Sequence, residues 1–369
     1  MSATTNTGSR PLSVLLAALT SFLLLAAGCA ADEEAGNAAS EKDKRAVTEA
    51  AASEEGVWPV AEVASRVEPS VVQVNVSSIQ TTPYGQREAL GLGSGVIFRE
   101  DGYVITNNHV VEGSDTVNVA FVDGSVETGR VVGTDPFTDI AVVKVSRGNL
   151  PAADFADGAD LVVGQLAVAI GNPSGFQSTV TSGIISGLGR EIPPEITGGS
   201  QQSALVDLIQ TDAAISPGSS GGTLVGRDAK VLGINVAYLP PAQTGAVNLG
   251  FAIPTDTATD VARQIIENGK VEHPYLGVSL TDLTPEIARR FDVSVESGAL
   301  VTRVDPQSPE SDAGIEPGGV ITAVGSERVR GAGDLLSALR RYDPGEPVEI
   351  SVAKGGEAST FTVELEERR

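Results

Sequence analysis

Three short stretches hold side chains whose types could act on one another chemically. Thr106-Asn107-Asn108-His109-Val110-Val111 places one of only two histidines just after a strand-like run. Asp135-Pro136-Phe137-Thr138-Asp139-Ile140-Ala141-Val142 puts acids at the entrance to an apolar strand, and Ser216-Pro217-Gly218-Ser219-Ser220-Gly221-Gly222-Thr223-Leu224 is a glycine-rich turn presenting serines. A serine hydroxyl is a poor nucleophile until an imidazole takes its proton, and the imidazole needs a carboxylate on its other nitrogen to fix its tautomer. Glycines beside the serine let backbone N–H groups turn toward a developing oxyanion. Asp135 competes with Asp139 for the carboxylate role, although Asp-Pro reads as turn initiation. Spacing alone does not choose between Ser219 and Ser220.

These groups need rigid elements to hold them, and the hydrophobic pattern supplies a β-rich frame. Val60, Val63, Ala64 and Val67 repeat at helical spacing as far as Pro69, after which Val72, Val74 and Val76 alternate as in a strand. From there to residue 253 the chain is a succession of short β-branched runs between glycines. About a dozen strands at this spacing suit barrels or a sandwich and are too many for one small barrel. A helix follows, with Asp256 able to cap it, Ala258, Val261, Ala262, Ile265 and Ile266 on one face, and Gly269 as its stop. Residues 273–367 have another rhythm and read as a separate domain. Strands are expected at 275–280, 299–304 and 320–324, helices at 285–291 and 334–341, and a hairpin at 348–352 with 360–365.

The 369-residue chain has 42 glycines without any period, which indicates many tight turns and excludes collagen. A formal net charge of −23 excludes a broad electrostatic nucleic-acid binder. One cysteine permits no internal disulfide, and Cys29, His109 and His273 are too few and too scattered for a Cys/His metal site. Residues 1–28 combine a basic Arg10 with an apolar run, the pattern of an export signal. Residues 29–57, rich in Ala, Glu, Asp and Ser, read as an acidic disordered linker.

Several segments in register resemble HtrA (DegP/DegS-type) serine proteases. They are Gly93-Ser94-Gly95-Val96-Ile97, the His109 motif, Asp139-Ile140-Ala141-Val142, Gly171-Asn172-Pro173, Thr179-Val180-Thr181-Ser182-Gly183, Gln210-Thr211-Asp212-Ala213-Ala214-Ile215 and Gly250-Phe251-Ala252-Ile253-Pro254. The order His, Asp, Ser is also that of the chymotrypsin-like enzymes. The resemblance implies a mainly β chain: a chymotrypsin-like double β-barrel protease domain over 58–269, then a single PDZ domain over 273–367. It implies His109 as general base, Asp139 as its orienting acid and Ser220 as nucleophile, with Gly218 and Ser220 N–H groups forming the oxyanion hole, helped by Ser219. Ser219 stands where the family has Asn, and Ser216-Pro217 departs from the family's more typical pair. By the same register Ala214 and Ile215 lie in the substrate pocket, with Tyr238 and Leu239 on the facing loop. That lining has no charge, so cleavage after small or medium aliphatic residues is expected.

Tyr275-Leu276-Gly277-Val278 resembles the carboxylate-binding loop of a PDZ domain, which takes a peptide C-terminus as an added strand beside a helix. Here that helix would present Leu335, Leu336 and Leu339, with Leu336 equally suited to the core. His273 reads as a linker residue. Arg190 matches the arginine of the family's sensor loop, here 187–203. Leu25-Ala26-Ala27-Gly28-Cys29 resembles a bacterial lipoprotein signal, which implies lipidation of Cys29 and a membrane-tethered protein on the extracytoplasmic face. The family further implies quality control of misfolded proteins, no cofactor, and a homotrimer in which Trp58 could be a contact. A non-proteolytic chaperone or PDZ scaffold on the same fold is the alternative.

Overall fold

Val63, Ala64 and Val67 form the buried face of α1 (Val60–Val67), and Pro69 lies in the 3-10 turn that follows it. The computed structural model describes residues 60–367 apart from 83–84, 158–159, 174–177, 194–203, 240–247, 292, 294 and 307. Cys29 and Trp58 therefore lie outside the described residues, as do the signal and linker segments. No helix among the described residues is long and apolar enough to cross a membrane.

The alternating valines after α1 begin the first of two closed six-stranded barrels. It is built from β1 (Val71–Thr82), β2 (Gly85–Arg99), β3 (Tyr103–Asn107), β4 (Thr116–Ala120), β5 (Val126–Asp135) and β6 (Ile140–Lys144), in the order β1-β2-β3-β6-β5-β4. Inward residues Val72, Val74, Ile97, Val104, Ala141 and Val143 fill it. The short helix α2 (Asn108–Val111) continues directly from β3 and carries His109. The second barrel comprises β7 (Leu166–Gly171), β8 (Thr179–Ile192), β9 (Leu205–Thr211), β10 (Thr223–Val225), β11 (Val231–Leu239) and β12 (Leu249–Pro254), ordered β10-β11-β12-β9-β8-β7.

The closing helix α3 (Thr255–Asn268) buries Ala258, Val261, Ala262 and Ile265 as its period requires. Gly269, at φ +76°, ends it by returning its N–H to the Ile265 carbonyl. Asp256, expected as the cap, sits instead inside the first turn. Pro254 occupies the cap position, and Thr255 Oγ1 donates to the Val231 carbonyl, so β11 fixes where the helix starts.

The C-terminal region holds β13 (Pro274–Tyr275), β14 (Val278–Asp282), α4 (Pro285–Phe291), β15 (Ala299–Val304), α5 (Pro309–Ala313), β16 (Val320–Val324), β17 (Glu327–Arg328), α6 (Ala332–Leu339), β18 (Pro347–Lys354), β19 (Glu357–Glu364) and β20 (Glu366–Glu367). Its main sheet is ordered β14-β15-β16-β18-β19, with β17 on β16. Two sequence expectations need correcting. The strand expected at 275–280 is broken because Gly277 is left-handed at φ +73°, and β13 turns away to pair with β20. The helix expected at 334–341 begins at Ala332, whose N–H is capped by Asp282 from β14, 2.7 Å away.

Candidate active site

The connection between β5 and β6 creates the acid–base pair. Asp135 pairs with Ile140 across the two strands, and Asp139 precedes Ile140 in a left-handed conformation at φ +59°. That backbone strain is offset by hydrogen bonds. The Asp139 carbonyl accepts from the Asn108 N–H and from Asn107 Nδ2, each at 3.0 Å. Its carboxylate, fully buried, accepts the His109 N–H at 3.0 Å and lies 2.7 Å from His109 Nδ1. A carboxylate can only accept here, so Nδ1 carries the hydrogen and Nε2 is left as a base. Burial disfavours the protonated ring, but the Asp139 hydrogen bond and the charges of Asp139 and Glu112 outweigh it and raise the His109 pKa. The His109 side chain remains 26% exposed.

Two consecutive tight turns shape the segment that carries Ser219 and Ser220. The Ser219 N–H donates to the Ser216 carbonyl at 2.9 Å, with Pro217 second in the turn and Gly218 third at φ +90°, which is the type II form. Proline presets the first central residue and glycine alone accepts the second without penalty, so the sequence specifies this turn locally. Gly222 then donates to the Ser219 carbonyl at 3.0 Å around Gly221 at φ +84°. Among the hydrogen bonds of the described residues, the Gly218 and Ser220 N–H groups have no protein acceptor and stay available to an oxyanion. The expected help from Ser219 is not met in this conformation, because the turn itself consumes its N–H. Ser220 Oγ donates to the Val236 carbonyl at 3.3 Å, not to His109. Such contacts often tighten only with substrate in place.

The remaining expected site residues divide. Ala214 is exposed, and Thr181 Oγ1 donates to its carbonyl at 2.7 Å. Ile215 is buried against Gly250, where an added Cβ would come within 2.8 Å of its Cδ1. Tyr238 and Leu239 pair with Gly250 and Leu249 as the end of β11, and their side chains lie outside the described residues. The expected sensor loop is strand as far as Ile192. β8 continues through it in irregular register, with exposed Arg190 opposite Leu208, because Ile185 and Ile192 are both buried in the barrel. Residues 194–203 lie outside the described residues.

In the C-terminal domain a cavity of about 330 Å³ runs between β14 and α6, lined there by Val278, Leu280, Leu336 and Leu339. Leu335, expected in this groove, is fully buried in the core with Leu276, whereas Leu336 and Leu339 line the groove as expected. Tyr275 donates its hydroxyl to Asp305 at 2.6 Å, and the Gly277 carbonyl accepts the Asp305 N–H, which pins the loop before β14. The same cavity is walled by Phe137 and His273. His273 Nε2 lies 2.8 Å from buried Asp135 Oδ1, its ring meets Phe137 edge-on at 5.0 Å, and Arg340 Nη2 donates to the Phe137 carbonyl at 3.2 Å. Burial works against ionised Asp135, yet His273, Thr138 and the Phe137 N–H together lower its pKa. Sequence reading missed this junction, since its partners lie 138 positions apart.

A trypsin-like peptidase domain model matches residues 93–234 and a PDZ domain model matches residues 274–365. The chain is 43% identical to a putative serine protease HhoB of Synechocystis sp., over 74% of this chain and 66% of that protein. It is 41% identical to a probable periplasmic serine endoprotease DegP-like of Halomonas elongata, over 75% of this chain and 56% of that protein. The matched segment thus spans between about half and two thirds of these curated relatives. Among solved structures, the HtrA-type protease AlgW with decapeptide aligns with a TM-score of 0.68 at 34% identity, covering 85% of this chain and 99% of that one. Two closed barrels, a histidine–carboxylate pair beside a glycine-rich serine turn, and these likenesses lead to one conclusion: the chain belongs to the HtrA-type, DegP-like family of serine proteases, with one PDZ domain after its trypsin-like domain.

Proposed function

We propose that the chain is an exported serine endopeptidase that cleaves misfolded proteins outside the cytoplasm. Ser220 Oγ attacks the scissile carbonyl while His109 Nε2 takes its proton. Asp139 holds Nδ1 and stabilises the imidazolium that forms, and the Gly218 and Ser220 N–H groups receive the oxyanion. His109 then protonates the leaving amine, and water repeats the sequence to free Ser220. The observation that carries this reading is the buried Asp139 at 2.7 Å from His109 Nδ1, which leaves Nε2 basic beside the serine turn. A fluorophosphonate probe should label the wild-type chain and leave Ser220→Ala unlabelled. Absence of wild-type labelling would instead favour a non-proteolytic scaffold, the reading supported by the Ser220 hydroxyl resting on Val236.

In this reading the protease domain spans 58–269 and the PDZ domain 273–367. Ala214 and Ile215 give an uncharged pocket suited to Val, Ala or Ile before the cleaved bond, and a peptide library cut mainly after Lys or Arg would sink that preference. The groove between β14 and α6 is suited to an apolar peptide C-terminus. Phe137 at its wall stands two residues before Asp139, which supports regulation of the protease by groove occupancy. A C-terminal carboxylate peptide should alter turnover of a small substrate where its amidated form does not. The Cys29 signal supports a lipid tether on the extracytoplasmic face, and the periplasmic naming of relatives agrees with export. A homotrimer involving Trp58 follows from the family alone.

A further inference from the structure

β2 has an unusual free edge at Ser94. Pairing with β1 runs through the Gln73–Ser94 position, but pairing with β3 starts only at Val96. The nucleophile turn occupies the vacant place. The Ser94 N–H donates to the Ser220 carbonyl at 2.7 Å, and Thr106 Oγ1 donates to the Ser94 carbonyl at 2.6 Å. The side chain is fully buried, donating its hydroxyl to the Gly218 carbonyl at 2.7 Å and accepting the Asn172 N–H at 2.8 Å. One oxygen thereby joins β2 of the first barrel, the end of β7 in the second, and the turn between them. The fit is close: a Cβ on Gly221 would strike the Ser94 carbonyl and Thr106 Oγ1, and one on Gly93 would lie 2.6 Å from a Val110 methyl.

We propose that Ser94 is a positioning residue of the peptidase reaction, its hydroxyl locking the Gly218–Ser219 peptide so that the Gly218 and Ser220 N–H groups stay aimed at the substrate oxygen. Gly218 is the least constrained residue of the turn, and the Ser216–Ser219 hydrogen bond restrains only one side of it. Oxyanion stabilisation depends on donors that need no reorganisation when charge develops. Without the hydroxyl, the Gly218 carbonyl and Asn172 N–H become two buried unpaired groups, and rotation of the turn becomes their route to new partners.

This inference rests on Ser220 being the nucleophile, and the experiment separates the two. Full-length wild type, Ser94→Ala and Ser94→Thr are compared by peptide kinetics, fluorophosphonate labelling rate, the pH profile and thermal unfolding. Ser94→Ala should lower kcat and the labelling rate by about 10- to 100-fold, less than the roughly 10²- to 10³-fold for deleting an oxyanion donor outright. KM should stay within about twofold and the pH midpoint should not move, since the His109–Asp139 pair is untouched, and Ser94→Thr should recover activity through its retained hydroxyl. A folded Ser94→Ala with kcat within about twofold of wild type overturns the role, as does a loss confined to KM or no recovery with Thr. If Ser94→Ala does not fold, Ser94→Cys takes the same measurements. Wild type that fails to label removes the underlying reading, whereas normal wild-type labelling with unchanged Ser94→Ala kinetics removes only the positioning role.

Discussion

The chain contains two histidines, and each has taken one acid of a single connection. His109 faces Asp139 at 2.7 Å and His273 faces Asp135 at 2.8 Å, and both carboxylates are almost wholly buried. The ring nitrogens differ. His109 gives Nδ1 to its acid, which leaves Nε2 as a base, whereas His273 gives Nε2. Their surroundings differ as well: the first side chain is 26% exposed, whereas the second, 14% exposed, meets Phe137 edge-on and lines the cavity at the domain junction. An imidazole–carboxylate pair is therefore not a catalytic site in itself. Ring tautomer and exposure distinguish the pair proposed to react from the one that fastens the domain junction.

The sharpest way to break this contrast is to neutralise each acid in turn. Asp139→Asn should lower kcat about 10⁴-fold with little change in thermal stability, because the amide can no longer impose the same tautomer. Asp135→Asn should do the reverse. It weakens acceptance from His273, Thr138 and the Phe137 N–H, so denaturant unfolding should show a loss of about 1–3 kcal/mol while small-peptide turnover stays within about tenfold. Comparable catalytic loss in both variants would erase the distinction.

pH should separate the pairs next. The proposed mechanism needs neutral His109, whose pKa is raised, so kcat/KM should climb with pH through a midpoint above the ordinary value of about 6.5. The stability linked to the same ring runs the other way, being fully present below the unfolded value and lost as pH rises through the raised folded one. Asp135, with its pKa lowered, contributes stability above the unfolded carboxylate value of about 3.9 that is lost only as pH falls through its lower folded value. The smallest effect is expected from His273→Gln, whose amide can still donate to Asp135. It should cost less than about 1 kcal/mol in unfolding, against about 1–3 for His273→Ala.

Legibility in the sequence followed the range of the interactions. The Pro217-Gly218 turn, the Gly269 stop and the alternating valines of β1 are local, and the residues themselves dictate them. The His109, Asp139 and Ser220 motifs were visible through their order and flanking residues. Ser94 was visible only as part of a glycine-flanked motif, because its function depends on a carbonyl 124 residues away. The start of α6 depended on Asp282, 50 residues distant, and of the three leucines expected in the groove only Leu335 went wholly to the core, since local spacing does not show which side of the helix meets β14. His273 looked like a linker because nothing near it in the chain reveals Asp135.

The β5–β6 connection has a consequence for chain length. Surface connections usually tolerate insertions, and their amides exchange freely with solvent. Only Pro136, Phe137 and Thr138 separate Asp135 from Asp139, yet these two acids hold one histidine from the first barrel and one from the start of the C-terminal region. Adding or deleting one residue would move one acid relative to the other and forfeit one partnership. Length, more than composition, is what this turn has no freedom to change.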